Sequence, residues 1–111
     1  MNTVFQQILD GKIPCDRVYE DDHCLAFRDI NPVAPCHILV IPKVAIDRLS
    51  SAKENQADIL GHLMLVASKV AKLDGYDDFR VITNNGAGAG QTVFHLHLHV
   101  IAGRTFGWPS P

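Results

Sequence analysis

Three histidines at every second position, His95, His97 and His99, are the residues of this chain best placed to do chemistry. In an extended strand, side chains two apart share a face and stand roughly 6.5–7 Å from one another. Residues 95–101, read as a strand, present all three imidazoles on one side and Leu96, Leu98 and Val100 on the other. A helix would scatter both sets, because its period is 3.6 residues. Such a row has three readings. The imidazoles are buried and satisfied, or they share a metal such as zinc, or one of them is a nucleophile whose neighbours fix its tautomer. No Asp, Glu or Cys lies beside the row to vary a ligand set.

A glycine-rich stretch leads into this row: Gly86, Gly88 and Gly90, then Gln91 and Thr92. Glycines let main-chain N–H groups approach an anion closely, and Gln and Thr add neutral donors. Neither the Walker nor the dinucleotide spacing is present. On its own such a loop is more often a plain turn; beside three imidazoles, a phosphate is the group its donors suit.

The elements that must hold these residues follow from the rest of the chain. Residues 3–9 read as a short helix capped by Thr3, with Gln6 three residues on. Strands are expected at 17–20 and 24–28 around an Asp21-Asp22-His23 turn, at 37–42, at 79–83 and at 95–101. One long helix is expected over 50–75, with Ser51 and Glu54 as a capping box and Gly75 as its stop. Its stripe of Ile59, Leu60, Leu63, Met64, Ala67, Val70 and Ala71 is widened by Leu65 and Val66. That surplus suggests a second apolar contact, as at a subunit interface. The order of elements fits an α+β fold: one domain over residues 1–111 with a mainly antiparallel sheet of about five strands, one long helix and one short.

Composition excludes several function classes. Hydrophobic residues are 47% of the 111 and charged ones 20%, which is globular composition. A formal net charge of −2 argues against a grip on nucleic-acid backbone. No apolar run reaches the roughly 20 residues of a membrane span, and no signal peptide is visible. Cys15, Cys24 and Cys36 are odd in number with no C-x-x-C pair, which fits reduced cysteines in a cytoplasmic protein.

His95-Leu96-His97-Leu98-His99-Val100-Ile101 resembles the motif of the histidine triad (HIT) superfamily. Its Hint branch is similar over nearly the whole chain. The matching segments include Thr3-Val4-Phe5-Gln6-Gln7-Ile8, Ala26-Phe27-Arg28-Asp29-Ile30-Asn31-Pro32, His37-Ile38-Leu39-Val40-Ile41-Pro42-Lys43, Gly90-Gln91-Thr92-Val93-Phe94 and the Trp108-Pro109 tail. The resemblance implies a HIT-like fold and hydrolysis of purine nucleoside 5′-phosphoramidates, without metal or other cofactor. His97 would attack phosphorus and carry the nucleotidyl group, releasing AMP or GMP and an amine. His95 and His99 would orient it and contact phosphate, with His37 as a fourth histidine. Asp29 and Ile30 match positions around the ribose. Asn84, Gly90, Gln91 and Thr92 match contacts to phosphate and sugar, and Phe5, Ile8 and Phe27 match walls of a purine pocket. A homodimer is implied, in which Trp108 reaches the neighbouring subunit's pocket. Thr92, Asn85 and Ala87 depart from the commoner residues and leave the leaving-group preference open. His23 and His62 match no functional position and are expected at a solvated surface. The rival expectations are dinucleoside polyphosphate hydrolysis, a nucleotide-binding scaffold with incidental catalysis, and a zinc protein.

Overall fold

A computed structural model describes residues 2–109. The chain runs through helix α1 (Val4–Leu9), strands β1 (Arg17–Glu20), β2 (Cys24–Arg28) and β3 (Cys36–Pro42), helix α2 (Ala57–Leu73), and strands β4 (Arg80–Ile82) and β5 (Leu98–Ala102). The five strands form one sheet in the order β1-β2-β3-β5-β4, and every pairing is antiparallel. The architecture is α+β, as the pattern of elements implies.

Alternation along the strands sorts side chains onto two faces. One face carries Cys24, Ala26, Cys36, Ile38, Val40, Leu98, Val100 and Ala102, and α2 covers it with Leu63, Val66, Ala67, Val70 and Ala71. The other carries Leu25, Phe27, Leu39 and Ile41, which α1 covers in part with Phe5 and Ile8. Since α1 has only six residues, it leaves much of that face for other uses.

Two element starts, those of α2 and β5, differ from expectation by three residues or more. The long helix starts at Ala57, not at residue 50, because short 3₁₀ turns at Leu49–Ser51 and Glu54–Gln56 precede it. Between them Ala52 has ψ 142°, an extended conformation that interrupts any helix begun at Ser51. A one-sided cap sits two residues later than expected, where Lys53 N–H donates to Gln56 Oε1 at 2.9 Å and the lysine side chain, having no acceptor, returns nothing. At α1, Thr3 Oγ1 accepts from Gln6 N–H at 3.1 Å as expected, but the Gln6 side chain donates to Asp10 instead of reaching back. Further along, β5 begins only at Leu98, so His95 and His97 precede the strand while keeping its alternation. His62 is not a solvated surface residue; it is half-buried and pairs with Asp21. Cys15, Cys24 and Cys36 are all unpaired thiols. Among the described residues no helix is long and apolar enough to cross a membrane.

One glycine outside the site is held by sterics. Gly103 ends β5 at φ +97°, and a Cβ there would lie 2.8 Å from Pro35 Cβ and 3.1 Å from the Tyr76 hydroxyl. Backbone strain and the clash act together, so Gly103→Ala is expected to cost on the order of 2–4 kcal/mol in urea unfolding. A loss below about 0.5 kcal/mol, the range of an ordinary surface substitution, would show that this corner relaxes freely.

Candidate active site

The face left open by α1 is a cavity of about 510 Å³. Phe5, Ile8, Phe27 and Leu39 form an apolar wall, and Asp29, His37, Thr92, His97 and His99 supply polar groups. Phe5 and Phe27 meet edge-to-face at 5.6 Å between centroids, and Phe5 meets the His97 ring the same way at 5.0 Å. The cavity is thus apolar and aromatic on one side, with heteroatoms on the other.

Each imidazole has a tautomer that its neighbours dictate. His97 Nδ1 lies 2.7 Å from its neighbour's carbonyl, His95 O. A carbonyl only accepts, so Nδ1 carries the proton and Nε2 keeps a lone pair. Among the described residues Nε2 has no hydrogen-bond partner. His95 Nε2 donates to Pro42 O at 2.8 Å, which fastens this ring to the end of β3. His95 therefore positions His97 through its main-chain oxygen and lines no part of the cavity.

A second chain of bonds begins at the main chain of Val33. Its N–H donates to His37 Nδ1 at 3.1 Å, so the His37 proton sits on Nε2. His37 Nε2 lies 2.9 Å from His99 Nδ1 and 3.3 Å from Asp29 Oδ2. Donation to His99 Nδ1 leaves His99 with its proton on Nε2. The two reactive rings are thereby set in opposite senses: a lone pair on His97 Nε2 and a donor on His99 Nε2. Asp29 is held by its own turn, Oδ1 accepting from Asn31 N–H at 2.8 Å.

Burial keeps these imidazoles neutral. It lowers the pKa of His37, His95 and His97, and it lowers that of His99 from 6.5 to about 4, helped by the neighbouring His97 and His37. A base with a depressed folded pKa gives stability that is fully present above its unfolded value, here 6.5. That stability is lost as pH falls from there toward about 4. His99 alone is expected to remove about 2 kcal/mol between pH 7 and pH 5. Urea midpoints at the two pH values check this, and equal stabilities would mean the imidazoles protonate without cost.

The structure gathers Phe5, Ile8, Phe27, Asp29, Ile30, His37, Thr92, His97 and His99 around one cavity. Four other expected residues behave differently. Gln91 is buried with its side chain spent: Oε1 accepts from Gly86 N–H, and Nε2 donates to Asp47 O and Val93 O. Gly90 N–H and Gln91 N–H are spent as well, on Ala87 O and Gly86 O. The expected phosphate donors at Gly90 and Gln91 instead hold the loop's shape, with Gly90 at φ +98° where side chains are strained. Asn84 lies on a neighbouring hollow of about 510 Å³ that shares Val33, His37 and His99 with the first. Trp108 is 89% exposed and lines neither. Sequence reasoning missed the Val33 amide and the Pro42 carbonyl, which carry no side-chain signal.

Among the described residues the three imidazoles of the row do not bring one donor atom each within 4.8 Å of the others, so the row by itself forms no three-histidine cluster. At this cavity the donors that cluster are Asp29, His37 and His99, with one ligand atom each within 4.8 Å of the others.

Comparison with known proteins gives a consistent set of likenesses. The family model for the HIT domain matches residues 10–106. An uncharacterized HIT-like protein of Synechocystis is 53% identical over 109 residues, covering 97% of this chain and 96% of its own. A 14 kDa zinc-binding protein of Zea mays is 48% identical over 110 residues, 96% of this chain and 86% of the maize protein. Among solved structures, a HIT family hydrolase from Legionella pneumophila superimposes with a TM-score of 0.94 at 39% identity, covering 97% and 98% of the two chains. A histidine triad protein from Clostridium difficile gives 0.92 at 48% identity, covering 96% and 95%.

Proposed function

The chain belongs to the HIT domain family, and on that premise we propose that it is a purine nucleoside 5′-phosphoramidate hydrolase. The observation that carries this reading is the free lone pair of His97 Nε2, fixed by the Nδ1 bond to His95 O beside a half-apolar cavity. A hydrolase among its structural neighbours supports the reaction class.

In the proposed reaction the base packs on Phe5, Ile8 and Phe27, and Asp29 accepts from ribose hydroxyls. His97 Nε2 attacks the α-phosphorus, an N–P bond forms, and the bond to the amine breaks. The amine leaves with a proton drawn from solvent, and the water of the second step returns one to solvent. Water then attacks the nucleotidyl-histidine, returns His97 to its free form and releases AMP or GMP. Over both steps one water is consumed, its oxygen ending on phosphorus. Splitting one difficult substitution into two easier ones is the gain of covalent catalysis. His99 Nε2–H and the Thr92 hydroxyl stand as donors for charge that builds on the phosphoryl oxygens, and one such donor is typically worth about 10²–10³ in rate. The protein's own donors take the part a metal plays in many phosphoryl transfers.

A side-by-side turnover assay decides the substrate class. Adenosine or guanosine phosphoramidates are expected to turn over faster than a dinucleoside polyphosphate, with an acid-labile nucleotidyl adduct trapped on His97. The reverse order of rates would assign the site to polyphosphates. Nucleotide affinity without turnover of either would favour a binding module.

We also infer a homodimer. Met64, Leu65 and Leu73 of α2 are 54%, 74% and 62% exposed, an apolar strip that one subunit alone does not cover. In that assembly Trp108 reaches the partner's cavity. Zinc binding is a second reading, favoured by the Asp29, His37 and His99 cluster and in keeping with the maize relative's name. It requires His37 Nε2 to give up the proton that Val33 places there.

A further inference from the structure

On the other side of the sheet from the triad, the turn between β1 and β2 meets α2 in a second cluster of reactive groups. Asp21 Oδ1 accepts from the N–H groups of His23 and Cys24 at 2.8 and 2.9 Å. Its Oδ2 accepts from the Tyr19 hydroxyl at 2.9 Å and lies 2.6 Å from His62 Nε2 on α2. One donor atom each from Asp21, Cys24 and His62 lies within 4.8 Å of the others. None of the three lines the triad cavity, and the proposed reaction uses none of them.

We propose that Asp21, Cys24 and His62 form a second binding site, for a thiophilic divalent cation of the zinc class. The donor set decides the class: a sulfur, an imidazole nitrogen and one carboxylate oxygen suit zinc, whereas magnesium and calcium take oxygen throughout. Geometry needs little adjustment. Two ligands at about 2.0–2.1 Å from a tetrahedral ion stand roughly 3.3 Å apart, so the Asp21–His62 gap opens by less than about 1 Å. A cavity of about 410 Å³ lined by His23, Asp58 and His62 borders the group on its His62 side. The exposed His23 ring, 5.4 Å from that of His62, or a water fills the fourth position.

Protons balance simply. The Cys24 thiol gives its proton to solvent as the sulfur–metal bond forms. His62 binds through the Nε2 lone pair with its proton on Nδ1, and Asp21 exchanges the His62 hydrogen bond for the ion. Asp21 is already charged: burial opposes this, but the His23 amide, His62, Tyr19 and the Cys24 amide together hold its carboxyl well below the usual range. Burial and the Asp21 charge push the Cys24 thiol up to about 12, so only a cation that binds the thiolate displaces that proton at neutral pH. An ion there would pin the hairpin to α2.

Cobalt(II) is the probe, because thiolate ligation gives it a sulfur-to-metal charge-transfer band. Metal-free protein is expected to take up one cobalt per chain with that band, and zinc to abolish it by displacement. Cys24→Ser should remove the band. Because Cys24 is fully buried, His62→Ala serves as the variant that spares the core. It should weaken uptake at least tenfold with unchanged circular dichroism and unchanged phosphoramidate turnover. His99→Ala, which breaks the Asp29, His37 and His99 group, should leave the band in place. No uptake, uptake without a thiolate band, or a His62→Ala variant that takes up cobalt as tightly as the unaltered protein would each overturn the site.

Discussion

The His97→Ala variant is expected to lose at least about 10⁴-fold in phosphoramidate turnover while keeping its affinity for AMP within a few-fold. The size follows from the role: removing a nucleophile that forms the covalent intermediate closes the route itself, leaving only what positioning and hydrogen bonding supply. Affinity is expected to survive because the proposed reaction gives the base and ribose contacts to Phe5, Ile8, Phe27 and Asp29, which line the cavity. The deletion takes from the pocket edge-to-face contacts with Phe5 and His99, ring pairs worth about 0.5–1.5 kcal/mol each. Steady-state turnover and calorimetric titration with AMP measure the two halves separately. Turnover near the wild-type rate would remove His97 from the chemistry, and joint loss of turnover and affinity would make it a structural residue.

His37→Ala is expected to lower kcat by about 10²–10⁴ with a much smaller change in KM. No contact with phosphorus is required of His37. Its work is to pass the direction set by Val33 N–H to His99, so that His99 presents a proton and not a lone pair to the substrate. A misassigned tautomer at a catalytic imidazole costs on the order of 10⁴ in a serine hydrolase, which sets the upper bound. His37→Gln keeps an amide donor in reach of His99 and should recover part of the loss. Rapid-quench detection of the nucleotidyl adduct locates the defect: its formation, not product release, should slow. A variant with normal kcat and a raised KM would place His37 among the ligand contacts only.

Much of this site could be read from residue types, for a simple reason. Alternation with period two survives even where strand hydrogen bonding does not, so His97 faces the cavity although β5 starts at Leu98. The strands at 17–20 and 24–28 were legible because β-branched and apolar runs flank an Asp-rich turn. The start of α2 was not, because a serine followed by glutamate caps a helix only if the residues between them turn helical, and Ala52 is extended. Gln91 misled for a related reason. Amide side chains serve an anion or a loop equally well, and its partners at Asp47 and Gly86 are set by tertiary structure. Pro42 O lies 53 residues from the His95 ring it holds, a pairing that local pattern does not reveal.

The groups that assign protons in this cavity are peptide groups: an N–H at Val33 and carbonyls at His95 and Pro42. Such instructions are indifferent to what side chain they carry. Nineteen of the twenty amino acids at position 33 would transmit the same orientation, and proline, lacking the N–H, would silence it without touching a single imidazole. The chemistry of the pocket is therefore written partly in a medium that side chains do not carry: a substitution at position 33 other than proline would reshape the wall that Val33 lends the cavity and still leave the His37 ring oriented as it is.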